Sequence, residues 1–295
     1  VLINGSSCTG ATITLSSFET FTVSNVQLKN TNGLVLSVGA TATSNIDGVS
    51  VSGSGYSNQS QSSLGGVIYV EGMVQIDNST FSSNSGGLGG VIHADGGIVS
   101  ISNTTFSSNS ALNAGVLYAR DGSFITSTNN TFQNNVATGF GGVYYLLYGV
   151  DFVEVGSTYD SNSSDSNGGV LYANHNVSAF LPNTISISDA LFESNQAAIG
   201  SFSSGSGGAL YIYNRSTVTI SNTNFVDNSA TNGGAMWVVA ANDTVTITDS
   251  TFEENTADQS GAIGVMAGGA SAVTDLVISG SSFIENEALA SYAGA

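Results

Sequence analysis

The side chains able to do chemistry are few, and their spacing suits it poorly. Three basic residues, Lys29, Arg120 and Arg215, stand against 21 acidic ones, with two histidines and one cysteine. A polysaccharide lyase takes a proton with a basic side chain and holds its acidic sugar with further cations, a demand that three scattered basic residues do not meet. A glycoside hydrolase needs two carboxyl groups close together. Asp160 with Asp165, and Glu253 with Glu254, are the candidates, and they read as turn residues. His93 falls in a column of aromatic residues and His175 in an insertion, and neither has the serine, aspartate or metal-ligand spacing that nucleophilic or metal chemistry requires. Asp227, Glu254 and Glu285 recur at one position of a repeat, where like charges ~5 Å apart repel unless solvent or a cation such as Ca²⁺ separates them. Splayed, solvated side chains are the simpler reading, because the repeat lacks the Gly-Gly-x-Gly-x-Asp calcium pattern. A lone Cys8 has no internal disulfide partner. The expectation is no catalytic residue, no metal and no cofactor, with a carbohydrate-active hydrolase or lyase as the rival.

Modification is the other available chemistry. Asn-x-Ser/Thr sequons stand at Asn4, Asn58, Asn78, Asn103, Asn129, Asn162, Asn176, Asn214 and Asn242. In a chain so rich in Asn, Ser and Thr the number means little, but Asn78, Asn103 and Asn129 share one position of three consecutive repeats. Glycans there would help to keep a large, weakly charged surface soluble.

The net charge of −18 excludes nucleic acid, whose phosphates need clustered Lys and Arg, and argues against anionic lipid. No apolar run approaches the ~18 residues of a membrane helix, so no membrane span is expected. With 37 Gly, one Pro and 41% hydrophobic residues, the composition is that of a strand-and-turn protein with a substantial core. The start at Val1 fits a processed secretory protein or a fragment, and an extracellular or cell-surface location is expected.

The elements that position these residues follow from an internal repeat. An aromatic residue followed three places later by Asn recurs eight times in one register: Phe81/Asn84, Phe106/Asn109, Phe132/Asn135, Tyr159/Asn162, Phe192/Asn195, Phe225/Asn228, Phe252/Asn255 and Phe283/Asn286. The aromatics lie 25, 26, 27, 33, 33, 27 and 31 residues apart. Seven and five places before each, apolar residues alternate with polar ones, as in Val74 and Ile76 or Val218 and Ile220, with Ser127 and Glu154 as the departures. That is strand periodicity. Three places before, Asn78, Asn103, Asn129, Gly156, Asp189, Asn222, Asp249 and Gly280 tolerate positive φ and mark a corner. A second corner is marked by Gly66, Gly90, Gly115, Gly142, Gly169, Gly208, Gly234, Gly261 and Gly294, each followed by Val or Ala.

No unit holds a helical period. Such units bury a face only by stacking, which predicts an all-β, right-handed parallel β-helix of about ten coils with three short strands per coil. Residues 1–50 lack the motif and are expected to form irregular first coils, with the repeat β-helix over 51–295 continuing or truncated at its C-terminal end.

These paired motifs, Phe-Ser-Ser-Asn at 81–84 with Gly-Gly-Val-Ile at 65–68, Gly-Gly-Ala-Leu at 207–210 and Gly-Gly-Ala-Met at 233–236, resemble the repeats of the chlamydial polymorphic membrane proteins and, more widely, pectin-lyase-like β-helices. The resemblance spans about 51–295. It implies a β-helical passenger that works in adhesion at a cell surface.

Stacking turns each column into a ladder. Phe81, Phe106, Phe132, Tyr159, Phe192, Phe225, Phe252 and Phe283 are expected to form an interior structural stack, with the Asn column bonding from coil to coil. Beyond the glycine corner an aliphatic column, Ile68 to Ile263, alternates with Tyr69, His93, Tyr118, Tyr145, Tyr172, Tyr211 and Trp237. With the aliphatic column placed inward, the rings form an outward stripe suited to another subunit or to sugar rings. The expected partners are copies of the chain itself, other surface proteins or glycans. The function that follows is a non-catalytic adhesive or structural glycoprotein, displayed on a surface or assembled end to end into a fibril through open coil ends and this stripe.

Overall fold

The computed structural model describes residues 2–4, 13–29, 33–55, 65–175, 181–198, 205–240, 243–267 and 274–289. Within them every element is a β-strand, and every strand pairing is parallel. The strands form four sheets of 11, 8, 10 and 10 members stacked along a β-solenoid, the eight-stranded one beginning at Ser85. One turn shows the order. Ile68–Val70 enters the sheet that carries the ring stripe (the stripe sheet), and Met73–Asp77 enters a broad sheet of longer strands. Thr80–Ser82 lies in the sheet of the interior rings (the ring sheet), and Ser85–Leu88 in a short sheet, before the chain climbs to Ile92–Asp95 above Ile68–Val70.

The expected three strands per coil become four from Ser85 onward, and the sequence holds the reason. Two places after each ladder asparagine stands a small residue: Gly86, Ala111, Ala137, Ser164, Ala197, Ala230, Ala257 and Ala288. Between two close corners only a small side chain fits inward, so these positions pair in register as short strands against the core, as Ala111 does with Ala137 and Ala257 with Ala288. Residues 13–29 and 33–52 add further rungs without the motif. Thr20–Ser24 and Thr43–Asp47 extend the broad sheet, while Leu28 and Val51 take the ring column's place beneath Phe81.

Three kinds of contact hold the rungs together. The rings from Phe81 to Phe283 stack face to face, with centroids 4.6 to 5.2 Å apart and planes within 9° of parallel. Those from Phe81 to Phe252 are fully buried, and Phe283 in the last described rung is 49% exposed. Each buried ring contributes about 1.5–3 kcal/mol by leaving water, and each stacked pair about 0.5–1.5 kcal/mol more. The second contact is the asparagine ladder, which satisfies every polar atom of its amides. Asn109 Nδ2 donates down to the Phe81 carbonyl and up to Asn135 Oδ1, both at 3.0 Å, while Asn109 Oδ1 accepts from the backbone N–H and Nδ2 of Asn84. The third is the glycine column. A Cβ on Gly142 would lie 2.0 Å from the Gly169 carbonyl oxygen, and one on Gly169 1.9 Å from that of Gly208, so successive backbones approach too closely there for any side chain.

Candidate functional site: the outer faces of the solenoid

Outside the core, the stripe sheet carries the rings in one column. Tyr69, His93, Tyr118, Tyr145 and Tyr172 meet edge to face at 4.8 to 5.4 Å, and Tyr172 stacks flat on Tyr211 at 5.1 Å. The inward side of the same strands is aliphatic, with Ile68, Ile92, Leu117, Leu171, Leu210 and Met236 buried. Although they lie outside the core, the rings do not form the open stripe that sequence reasoning expects. His93 is 1% exposed, Tyr118 6%, Tyr172 7% and Trp237 8%, while Tyr69, Tyr145 and Tyr211 are half-buried. Rings at strand spacing cover one another's faces, and flanking side chains close the edges. Phe140 lies 4.6 Å from Tyr172, Leu88 and Leu147 join Tyr118 and Tyr145 in a small second core, and Trp237 lies over Gly264, where no Cβ blocks it.

Beside this column runs a short polar one. Arg120 Nη2 donates to Asp95 Oδ2 at 2.6 Å, and the Tyr69 hydroxyl lies 3.2 Å from Asp95 Oδ2 and 3.0 Å from Glu71 Oε1, which share its one proton. Burial opposes ionisation of Asp95, but the bond and charge of Arg120 overcome it and hold the carboxyl below its ordinary range. Burial, then the neighbouring Arg120 charge, depresses His93 to about 4 against a weaker opposing pull from Asp95, and both ring nitrogens lack a partner. His93 is thus a neutral packing ring.

The broad sheet presents a more open face. One outward column runs Met73, Ile98, Phe124, Asp151, Thr184, Thr217, Thr244 and Asp275 in register. Met73, Ile98 and Phe124 are 42%, 38% and 42% exposed, and Thr184, Thr217 and Thr244 are exposed. A neighbouring column adds Ser186, Thr219 and Thr246. The result is a flat side with an apolar end and a hydroxyl-rich end, with exposed Asp151 between them and exposed Asp275 beyond.

The corner after the broad sheet carries Asn78, Asn103 and Asn129, all exposed and with φ of 47°, 48° and 53°. Two of these amides are engaged: Asn78 Nδ2 donates to Asp77 Oδ2 at 2.9 Å and Asp47 Oδ1 at 3.2 Å, and Asn103 Nδ2 donates to Asp77 Oδ1 at 3.0 Å. The Asn103 amide, aided by the Ser102 hydroxyl, lowers the Asp77 carboxyl. Asn214 is half-buried with φ 59°. Asn162 is corrected. It is fully buried in the asparagine ladder, donating to the Phe132 carbonyl and Asn195 Oδ1, so a glycan has no room there. The side chain of Asn4 and all of Asn58, Asn176 and Asn242 lie outside the described residues.

Of the candidate carboxylates, Asp160 and Glu254 lie at corners and Glu253 ends a strand, Thr251–Glu253. Asp160 accepts from Gln133 Nε2 at 2.9 Å and from the Ser161 hydroxyl at 2.6 Å. Asp227, Glu254 and Glu285 occupy one positive-φ corner, and no group of three or more His, Cys, Asp or Glu among the described residues could hold a metal.

One polar cluster lies where sequence reasoning saw only departures from pattern. Ser127 and Glu154 are register neighbours inside the core, and Tyr144 and Tyr159 replace an aliphatic residue and a phenylalanine around them. The Tyr159 hydroxyl donates to Glu154 Oε2 at 2.6 Å, the Ser157 N–H to Oε1 at 3.0 Å, and the Tyr144 hydroxyl to Ser127 Oγ at 3.2 Å. Burial raises the Glu154 carboxyl, outweighing these bonds. At 1% exposure it is closed to any substrate. The signal was available, since four departures fall within 33 residues and each supplies a polar group.

No family model and no curated protein matches the chain. Among solved structures, one described as "Crystal structure of PfbA, a surface adhesin of Streptococcus pneumoniae" aligns over 92% of this chain and 81% of its own, with 12% identity and a TM-score of 0.26. That score lends no weight to a functional argument.

Proposed function

We propose that the chain is a non-catalytic adhesive shaft, extracellular or displayed at a cell surface, glycosylated at the Asn78, Asn103 and Asn129 corner. The observation that supports this reading is the broad sheet's outer face, where Thr184, Thr217 and Thr244 repeat an exposed hydroxyl over three consecutive turns and Met73, Ile98 and Phe124 an exposed apolar side chain over three others. A flat array of hydroxyls beside exposed Met73, Ile98 and Phe124 suits a partner that also repeats, such as a glycan chain or a second solenoid. The buried ring stripe then stiffens the shaft, and contact passes to the broad sheet. Among the described residues, Asp160, Asp227, Glu254 and Glu285 sit at corners and Glu154 in a closed cluster, which suits adhesion better than hydrolysis or elimination.

The test is a bead-adhesion and glycan-binding assay with the full chain, comparing wild type with Ile98→Asp/Thr217→Asp. Both substitutions sit on the open face, so the variant stays folded. Retention of glycans or surface proteins by wild type and its loss in the variant would support the reading. Release of new reducing ends from the bound glycan would replace it with the hydrolase reading. End-to-end fibril growth belongs to the same proposal, and electron micrographs showing only short single particles would remove that part.

A further inference from the structure

The interior ring stack stops at Phe81. Beneath it the same column holds Val51 and then Leu28, each smaller than phenylalanine, in register with the rings above. One column of the broad sheet narrows in the same rung, where Ser44 stands between Phe21 and Val74. The missing volume remains as a cavity of about 130 Å³ spanning consecutive turns. Phe81 caps it, Val51, Leu36 and Ile46 form its walls, and Phe21 and Leu28 lie on the far side. All of its lining residues are apolar.

An apolar hole of this kind is not a water site, because a buried water needs two to four polar partners. Cavities of roughly this size lined by Leu, Ile and Phe stay dry and take up benzene or xenon. This one also has an approach, since Ile13 in its lining is 44% exposed and Phe21, Val23 and Leu28 are only half-buried. The face of Phe81 offers a ring the same stacking that each interior ring offers the next, at 4.6 to 5.2 Å along the column.

We propose that the N-terminal end of the solenoid core is a binding site for a small apolar molecule of single-ring size, which continues the interior stack below Phe81 in the space that Val51 leaves. A ligand that binds only the folded chain raises its melting temperature, so occupancy is readable without any assay of activity.

The experiment is thermal unfolding of the full chain with and without benzene, repeated with Val51→Phe and Val51→Leu. Benzene at about ten times its Kd should raise the wild-type Tm by about 2 °C. Val51→Phe, which places a ring of its own in the hole, should raise Tm without ligand and abolish the benzene shift. Val51→Leu, a milder filling for the case in which Val51→Phe fails to fold, should shrink the shift. Under xenon, ¹²⁹Xe resonance should show bound xenon in wild type and less of it in either variant. No benzene shift and no bound xenon in wild type would overturn the proposal, as would a full benzene shift retained in the filled variants.

Discussion

Asn135 Oδ1 accepts the side-chain Nδ2 of Asn109 from the turn below at 3.0 Å, and it accepts the Asn109 backbone N–H at the same distance. Both residues are fully buried, so one oxygen completes the hydrogen bonding of two donors that water cannot reach. The Nδ2 of Asn135 in turn serves the Phe106 carbonyl and Asn162. Each asparagine therefore fixes the corner of one rung to the next.

Asn135→Ala should be strongly destabilising, because it strands two buried donors of Asn109, its side-chain Nδ2 and its backbone N–H, and removes one bond to the Phe106 carbonyl. With each stranded group costing about 1–3 kcal/mol, a loss of several kcal/mol is expected in urea unfolding. Asn135→Asp should be costly for a different reason, since it keeps the acceptor but buries a charge and removes the donors.

Glu154 gives the chain a pH dependence of a defined sign. Its folded carboxyl is raised by burial, so it favours the folded state fully below its unfolded value of 4.5, and that contribution is lost as pH rises through the folded value. Glu154→Gln should unfold at a higher temperature than wild type at neutral pH, and the advantage should shrink as pH falls towards 4.5. A melting difference that does not change with pH would contradict this account of the cluster.

His93 acts in the opposite direction. Its folded pKa is lowered to about 4 from 6.5, so stability is complete above 6.5 and falls as pH drops towards 4, where the unfolded chain binds the proton more readily. His93→Phe keeps a ring between Tyr69 and Tyr118 and removes two unpartnered nitrogens. It should be more stable than wild type, increasingly so between pH 6.5 and 4, as read by thermal unfolding.

Much of this architecture was legible because ladders repeat. Eight aromatics at a near-constant spacing imply stacked coils, and the positive-φ corner could be read from Asn78, Asn103 and Gly156 alone. The fourth strand was missed because its mark is a column of small residues, mostly alanine, which read as loop residues until their register with the asparagines is noticed. The stripe was legible as a column but not as a buried one. Whether Tyr118 is open to solvent depends on Leu88 and Leu147, which lie 30 and 29 residues away in the chain. Asn162 carried two signals at once, sequon and ladder, and packing decided for the ladder.

The glycine column should tolerate nothing larger. Gly142→Ala drives a methyl group against the Gly169 carbonyl and the backbone of Ser163, so adjacent turns must part. A loss of about 4 kcal/mol or more is expected, among the largest that single substitutions produce. Hydrogen exchange should show the opening concentrated in the turns of Gly115, Gly142 and Gly169.

The adhesive reading is tested most directly by measuring retention of the labelled full chain on an array of glycans and surface proteins, with recovered glycans weighed afterwards by mass spectrometry. The account predicts that wild type is retained, that Ile98→Asp/Thr217→Asp is not, and that every bound glycan is recovered intact. Retention unchanged in the variant, or glycans recovered as shorter products, would contradict it.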